Sequence, residues 1–402
     1  WLKPLSFVTH RQFFTMIQTA QHQENAAPPS SVGARQAVMM IPMAAPQMWT
    51  MPMFAAGQPA MAMGMSPTWI WQPVMGIQPL VLPPPAPIPV PVGLPAAAQA
   101  ALRDLVTAAD DQRQALALPR RLAQAALEER LRGTWPRAEL QVFGSVATRT
   151  DVGGSDLDLV LLPSGGPNWG AKVQKALTQQ HSPWLISCEV VHGEFQLVRI
   201  RVDTGCFRLI AQHMAPALGS SPEAAAEALN SMEWGEISID LSTGAEHGGR
   251  RAVEVVREGL GNFELFRPVA VVLKQHLRSC GRNNPYEGGL PSCALLVMIW
   301  CFLTTRKDLA AAEPGFAVAE FLRFFGTQFE ARKVGISTTG FFPRVADDRC
   351  DPAVVRDPVG GGNMARGCFA FADVQREWAE LFHRLRAGDA GGVAPGAGRA
   401  AG

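Results

Sequence analysis

Residues 143–162 read Phe-Gly-Ser-Val-Ala-Thr-Arg-Thr-Asp-Val-Gly-Gly-Ser-Asp-Leu-Asp-Leu-Val-Leu-Leu, and no other stretch constrains the fold as much. The β-rich run 139–143 ends at Phe143, Gly144 and Ser145 make a tight turn, and Asp156 and Asp158 stand two apart at the start of the next strand. Strand alternation puts both carboxylates on one face and sends Leu157 and Leu159 into a core. Acid-x-acid triplets carry no information alone, since chance supplies roughly three in a chain with this many acidic residues. The preceding turn is what gives this one meaning: Gly144 lets the backbone approach a phosphate closely, and Ser145 offers a hydroxyl beside it. A third carboxylate is expected from a neighbouring strand, where Glu236-Ile-Ser-Ile-Asp240 offers two candidates on one face. Alternation does not choose between positions four apart. Carboxylates about 5 Å apart repel by about 3 kcal/mol at an effective dielectric of 20. Such a cluster stays ionised only beside cations, and a pair of Mg²⁺ ions suits it.

The rest of the chain divides by composition. Eleven of the 15 Met and 17 of the 32 Pro fall in the first hundred residues, and no charged residue lies between Arg35 and Arg103. Pro recurs too often there for a membrane span of about 18 unbroken apolar residues, and it blocks helix and ladder alike. Residues 1–100 are therefore expected to be a disordered low-complexity tail. Formal net charge is +1, and residues after 102 hold 33 basic and 34 acidic side chains, which excludes strong polyanion binding by bulk field. Seven scattered Cys (188, 206, 280, 293, 301, 350, 368) read as reduced thiols of an intracellular protein. His181, Cys188, His192, Cys206 and His213 lack the paired spacing of a zinc site. No secretory signal precedes residue 27, and the chain starts at Trp1, so the native N-terminus is expected upstream.

Helical periodicity from Ala101 predicts two helices before Trp135. Short strands are predicted at 139–143, 156–162, 184–191, 196–202 and 236–241, with a helix near 170–181 between them. Helices follow at 264–279, 289–304, 316–326 and 371–386. Lys274 and Arg278 lie one turn apart on one helix face, placing two cations toward one polyphosphate.

With these segments in order, the chain resembles the DNA polymerase β-like nucleotidyltransferases. More narrowly it is similar to the noncanonical poly(A) polymerases of the topoisomerase-related (TRAMP) type. The blocks that carry the likeness are FGS…SDLDLV, Phe266–Leu277, Asn284–Ser292, Phe324-Phe-Gly326 and Arg356-Asp-Pro-Val-Gly-Gly-Gly-Asn363. The resemblance spans about residues 103–386. It implies an α+β fold: a nucleotidyltransferase palm of mixed sheet with flanking helices over 101–262, joined to a mostly helical PAP-associated domain over 263–388, then a flexible tail over 389–402. It further implies template-independent addition of AMP from ATP to an RNA 3′ end, with two Mg²⁺ (Mn²⁺ as alternative), in RNA surveillance and processing. The alternatives are a terminal uridylyltransferase and a catalytically weak relative serving as an RNA-binding or scaffold subunit. An RNA-binding adaptor protein is the implied partner, the nucleus or nucleolus the implied location, and a membrane is not involved.

Carried over by position, Gly144 and Ser145 grip the triphosphate, and Asp156, Asp158 and Glu236 (or Asp240) hold metal. Lys274 and Arg278 meet the triphosphate, Ser292 contacts the nucleotide, and Asn363 reads the base. Three departures stand out. Glu236 replaces Asp, Cys293 replaces a stacking Tyr, and Met364 replaces an acidic residue. The absence of His between His276 and His383 favours ATP over UTP.

Overall fold

The computed structural model describes residues 93–163, 166–179, 181–192, 196–208, 211, 227, 229–244, 248–345 and 350–389. Residues 1–92 of the tail expected over 1–100 and the segment after 389 lie outside them, whereas residues 96–100 belong to a helix.

The first element is one helix, α1 (Ala96–Arg132), of 37 residues, where the sequence predicted two starting at Ala101. Pro119 lies inside it and removes the N–H that would bond the Ala115 carbonyl. That carbonyl accepts instead from the backbone N–H of Glu233 at 3.1 Å, so the helix continues through the proline with its acceptor satisfied. After α1 come β1 (Glu139–Val142), the short helix α2 (Gly144–Thr148), β2 (Leu157–Leu162), α3 (Trp169–Thr178), β3 (Leu185–Val191), β4 (Leu197–Asp203) and β5 (Glu236–Thr243).

The strands form one mixed sheet in the order β1-β2-β5-β4-β3. Only β2 and β5 run parallel, and their register sets Asp158 directly beside Asp240. Alternation works as expected: Leu157, Leu159, Ile239 and Leu241 are fully buried. With Leu127 and Leu131 of α1 and Val173 and Leu177 of α3, they form one apolar interior.

The remaining elements are α4 (Gly248–Asn262), α5 (Phe266–Ser279), α6 (Ser292–Thr305), α7 (Pro314–Arg323), the strand pair β6 (Val334–Ser337) and β7 (Gly340–Pro343), and α8 (Phe371–Arg386). The sequence did not predict α4, β6 or β7. Phe302, Phe321, Phe325 and Trp378 lie at the centre of a second apolar interior, which α5 joins through Val269 and Leu273. Several of their rings meet edge to face, including Phe321 on Trp378 with centroids 5.4 Å apart. The N-terminal part of α1, including Ala98, Leu102 and Leu105, is packed in this second interior, not the first. The fold is thus α+β, a mixed-sheet unit and a helical unit sharing one long helix.

Candidate active site

Gly144 adopts φ +65°. Any Cβ there would run into the carboxylate of Asp158, so the position requires glycine twice over: for its backbone angle and for its missing side chain. The tight turn expected at 144–145 is the first turn of α2. Phe143 N–H bonds the Asp158 carbonyl at 3.0 Å, and the Ser145 backbone N–H bonds the Asp158 carboxylate. Asp156 immediately precedes β2 and takes a hydrogen bond from the Ser238 side chain on β5.

Asp156, Asp158 and Asp240 therefore form one cluster, and its electrostatics show the strain of like charges held together. Burial, and then the charge of Asp240, push the Asp156 carboxyl above the usual range. Burial, Asp240 and Asp156 together push Asp158 up to about 7. Arg199, opposite Asp240 in the β4–β5 register, approaches its carboxylate at 3.2 Å and supplies part of the missing positive charge.

Across from the cluster lies α5. Lys274 is buried and donates from Nζ to the Thr150 carbonyl at 2.8 Å. Burial pulls its pKa down to about 8, against the opposing charges of Asp151 and Asp158. Arg267, one face of the same helix earlier, donates to the Arg149 carbonyl at 2.8 Å. These bonds tie the loop between α2 and β2 to the helical unit. A cavity of about 480 Å³ opens between them, lined by Gly144, Ser145, Asp156, Asp158, Lys274, Arg278 and Ser292 among others. Its far wall is apolar, with Val256, Leu296 and Trp300.

Two expected site residues lie elsewhere. Glu236, the expected third carboxylate, pairs with Arg201 at 2.6 Å on the exposed surface. It sits four residues before Asp240, about 13 Å along the strand at about 3.3 Å per residue. Of the two candidates the sequence left open, the strand beside β2 sets Asp240, not Glu236, next to Asp158. Asn363, expected to read the base, has all its amide hydrogen-bonding capacity used inside the chain. Its Nδ2 donates to Asp351 and to the Ala353 carbonyl, each at 2.8 Å, and its Oδ1 accepts from Val355 and Ala365 N–H. It braces the loop, and the cavity is reached instead by Asp357, Pro358 and Met364. Arg199, Ser238 and Asp357 went unnoticed in the sequence. Arg199 alone had a usable signal there, an arginine on the strand expected to neighbour the acidic one.

Asp158 gives a pH prediction. Its carboxyl titrates near 7 in the metal-free fold against 3.8 as an ordinary aspartate. The folded state thus binds a proton that the unfolded chain has released, and the stability this proton provides is full below pH 4 and lost as pH rises through 7. A divalent cation competes for the same oxygens. Added Mg²⁺ is therefore expected to raise the melting temperature more at pH 8 than at pH 6, and equal increments at both would contradict the cluster's assignment.

No protein-family model matches the chain. It is 23% identical over 278 residues to Poly(A) RNA polymerase protein 2 of Saccharomyces cerevisiae, covering 65% of this chain and 43% of that protein. To Poly(A) RNA polymerase cid14 of Schizosaccharomyces pombe it is 26% identical over 223 residues, covering 54% and 28%. The chain thus spans less than half the length of these curated relatives. Among solved structures, the polymerase core of TRAMP, an RNA surveillance complex, matches with TM-score 0.51 at 21% identity over 66% of this chain and 78% of that one. The Cid1 poly(U) polymerase matches with TM-score 0.54 at 13% identity over 71% and 94%. The fold is shared with these polymerase structures, and in sequence the chain is similar to proteins named poly(A) RNA polymerases.

Proposed function

We propose that this chain is a template-independent RNA 3′-nucleotidyltransferase, adding AMP from ATP to RNA ends in nuclear RNA surveillance. One observation carries the reading: Asp156 and Asp158 line a cavity together with the glycine turn and Lys274, and Asp240 is the register partner of Asp158 across the β2–β5 pair. The relatives' names point to the same chemistry.

The donor set fits divalent metal. Three carboxylates with oxygen donors only, Asp158 and Asp240 half-buried and Asp156 exposed, repelling one another, suit hard cations such as Mg²⁺, with Mn²⁺ as alternative. Two such ions bound by Asp156, Asp158 and Asp240 would supply an activated 3′-hydroxyl and charge neutralisation at the leaving pyrophosphate. The chain's own residues do the positioning. Gly144 admits the triphosphate close to the backbone, Ser145 offers its hydroxyl, and Lys274 and Arg278 meet the phosphates from α5. Ser292 and Cys293 at the start of α6 border the nucleotide, and the wall around Trp300 excludes water from it. The RNA 3′ oxygen displaces pyrophosphate from the α-phosphorus, in line, with both substrates held still.

The choice of ATP rests on the absence of histidine between His276 and His383; among the described residues that line the cavity none is a histidine. Incubation with a short RNA primer, Mg²⁺ and each nucleotide in turn is expected to give extension with ATP. Extension with UTP alone would favour the uridylyltransferase reading that the Cid1 likeness brings. An unextended primer, together with no Mg²⁺-dependent thermal stabilisation by an ATP analogue, would favour the scaffold reading. Near-neutral charge after residue 102 supports a separate RNA-binding adaptor. Tight unaided RNA binding with a steep salt dependence in the same assay would contradict that part.

A further inference from the structure

Helix α5 and the residue that caps it, Cys280, carry a second pair of chemistry-bearing side chains. At 100° per residue, His276 and Cys280 lie one above the other on the face opposite Lys274 and Arg278. Facing them from α8 is Glu377. One ligand atom each from His276, Cys280 and Glu377 lies within 4.8 Å of the others.

His276 is 3% exposed; its ring lies against the Glu377 backbone, and among the described residues neither ring nitrogen makes a hydrogen bond of good geometry. An imidazole buried with so little hydrogen bonding stands where a ligand would supply a partner. A neutral imidazole is the form that coordinates metal. Cys280 and Glu377 are partly exposed, which gives an ion and one water access to the site.

We propose that His276, Cys280 and Glu377 form a zinc site that fastens α8 to α5, with water as fourth ligand. Nitrogen, thiolate and carboxylate donors match Zn²⁺ and not Mg²⁺. With bonds of about 2.0–2.3 Å, tetrahedral ligand atoms stand about 3.6 Å apart, so closing onto the ion takes side-chain adjustments of about 1 Å. Binding releases the Cys280 thiol proton, leaving thiolate and carboxylate to balance the dication. That balance matters because Arg384 faces His276 and Arg282 faces Cys280. Arg282 is already paired with Asp373 at 3.2 Å. The site lies on the far side of α5 from the nucleotide cavity and does not depend on the proposed activity.

The test is Co²⁺ substitution in the full chain, read by absorption. One equivalent of Co²⁺ should give the intense visible bands and the thiolate charge-transfer band of a tetrahedral sulfur-containing site. An octahedral oxygen site such as the aspartate cluster gives only weak bands. Cys280→Ser should abolish the charge-transfer band, and Glu377→Gln should weaken Zn²⁺ binding at least about tenfold. The melting temperature of Cys280→Ser in chelator, equal to that of the parent, verifies that the variant folds. Absence of the tetrahedral spectrum in the parent, or its persistence in Cys280→Ser, overturns the proposal.

Discussion

Replacing Asp240 by Asn should cut primer extension by at least about 10²–10³-fold, the scale on which a single well-placed electrostatic group contributes to a transition state. Replacing Glu236 by Gln should leave the rate nearly unchanged. The contrast follows from register. Asp240 is the direct neighbour of Asp158 across the parallel β2–β5 pair, whereas Glu236 is spent on Arg201 at the surface. Asparagine keeps the shape of the side chain and removes only its charge. Loss of that charge relieves Asp156 and Asp158 of the repulsion that raises them. Metal-free Asp240→Asn should therefore melt close to the parent, which separates lost chemistry from lost structure. The reverse pattern, with Glu236→Gln inactive and Asp240→Asn active, would show that the strand pairing of the active protein is shifted by four residues.

The second large effect is structural. Arg120 on α1 and Asp151 in the loop before β2 form an ion pair of 2.7 Å, with side chains only 6% and 3% exposed. Arg120 also reaches the Ser155 carbonyl, at 3.4 Å. The second Asp151 oxygen has no hydrogen-bond partner, so that carboxylate depends on Arg120 and on the charge of nearby Lys274. Arg120→Met strands a buried anion and should cost about 3–5 kcal/mol, lowering the melting temperature by about 10 °C at about 2–4 °C per kcal/mol for a chain of this size. Activity should fall too, because the loop it anchors ends in Asp156. The double variant Arg120→Met, Asp151→Asn should recover much of the stability, since it leaves no unpaired charge. A double variant no more stable than Arg120→Met would show that Arg120 acts by packing and not by pairing.

What the sequence disclosed and what it hid divide along the range of the interactions involved. The helix at 371–386 was legible to its ends because its apolar period and its cationic last turn are local. The five strands were legible because alternation is local too. Helix α4 was hidden: Gly248, Gly249, Gly259 and Gly261 lower its intrinsic propensity, and its support comes from packing, as where Gly259 lies against Trp300 and Phe266. The continuity of α1 was hidden because the donor that rescues Ala115 comes from Glu233, more than a hundred residues on. In the cluster, Asp156 and Asp158 announced themselves. The choice between Glu236 and Asp240 did not, since a period of two treats positions four apart alike and only pairing with β2 separates them. Asn363 was misread for a related reason: an asparagine in a glycine-rich loop serves equally to bind a base or to brace the loop.

The long first helix bears on how such a cleft can move. Its early turns are embedded in the helical interior and its late turns in the sheet interior, so the jaws on either side of the cavity are mounted on one beam. Gaping by swinging where α4 ends and α5 begins, with α1 left rigid, would tear one end of that beam from its socket. A motion that spares both sockets has to flex the beam itself, and it is weakest at Pro119, where the ladder already lacks a rung.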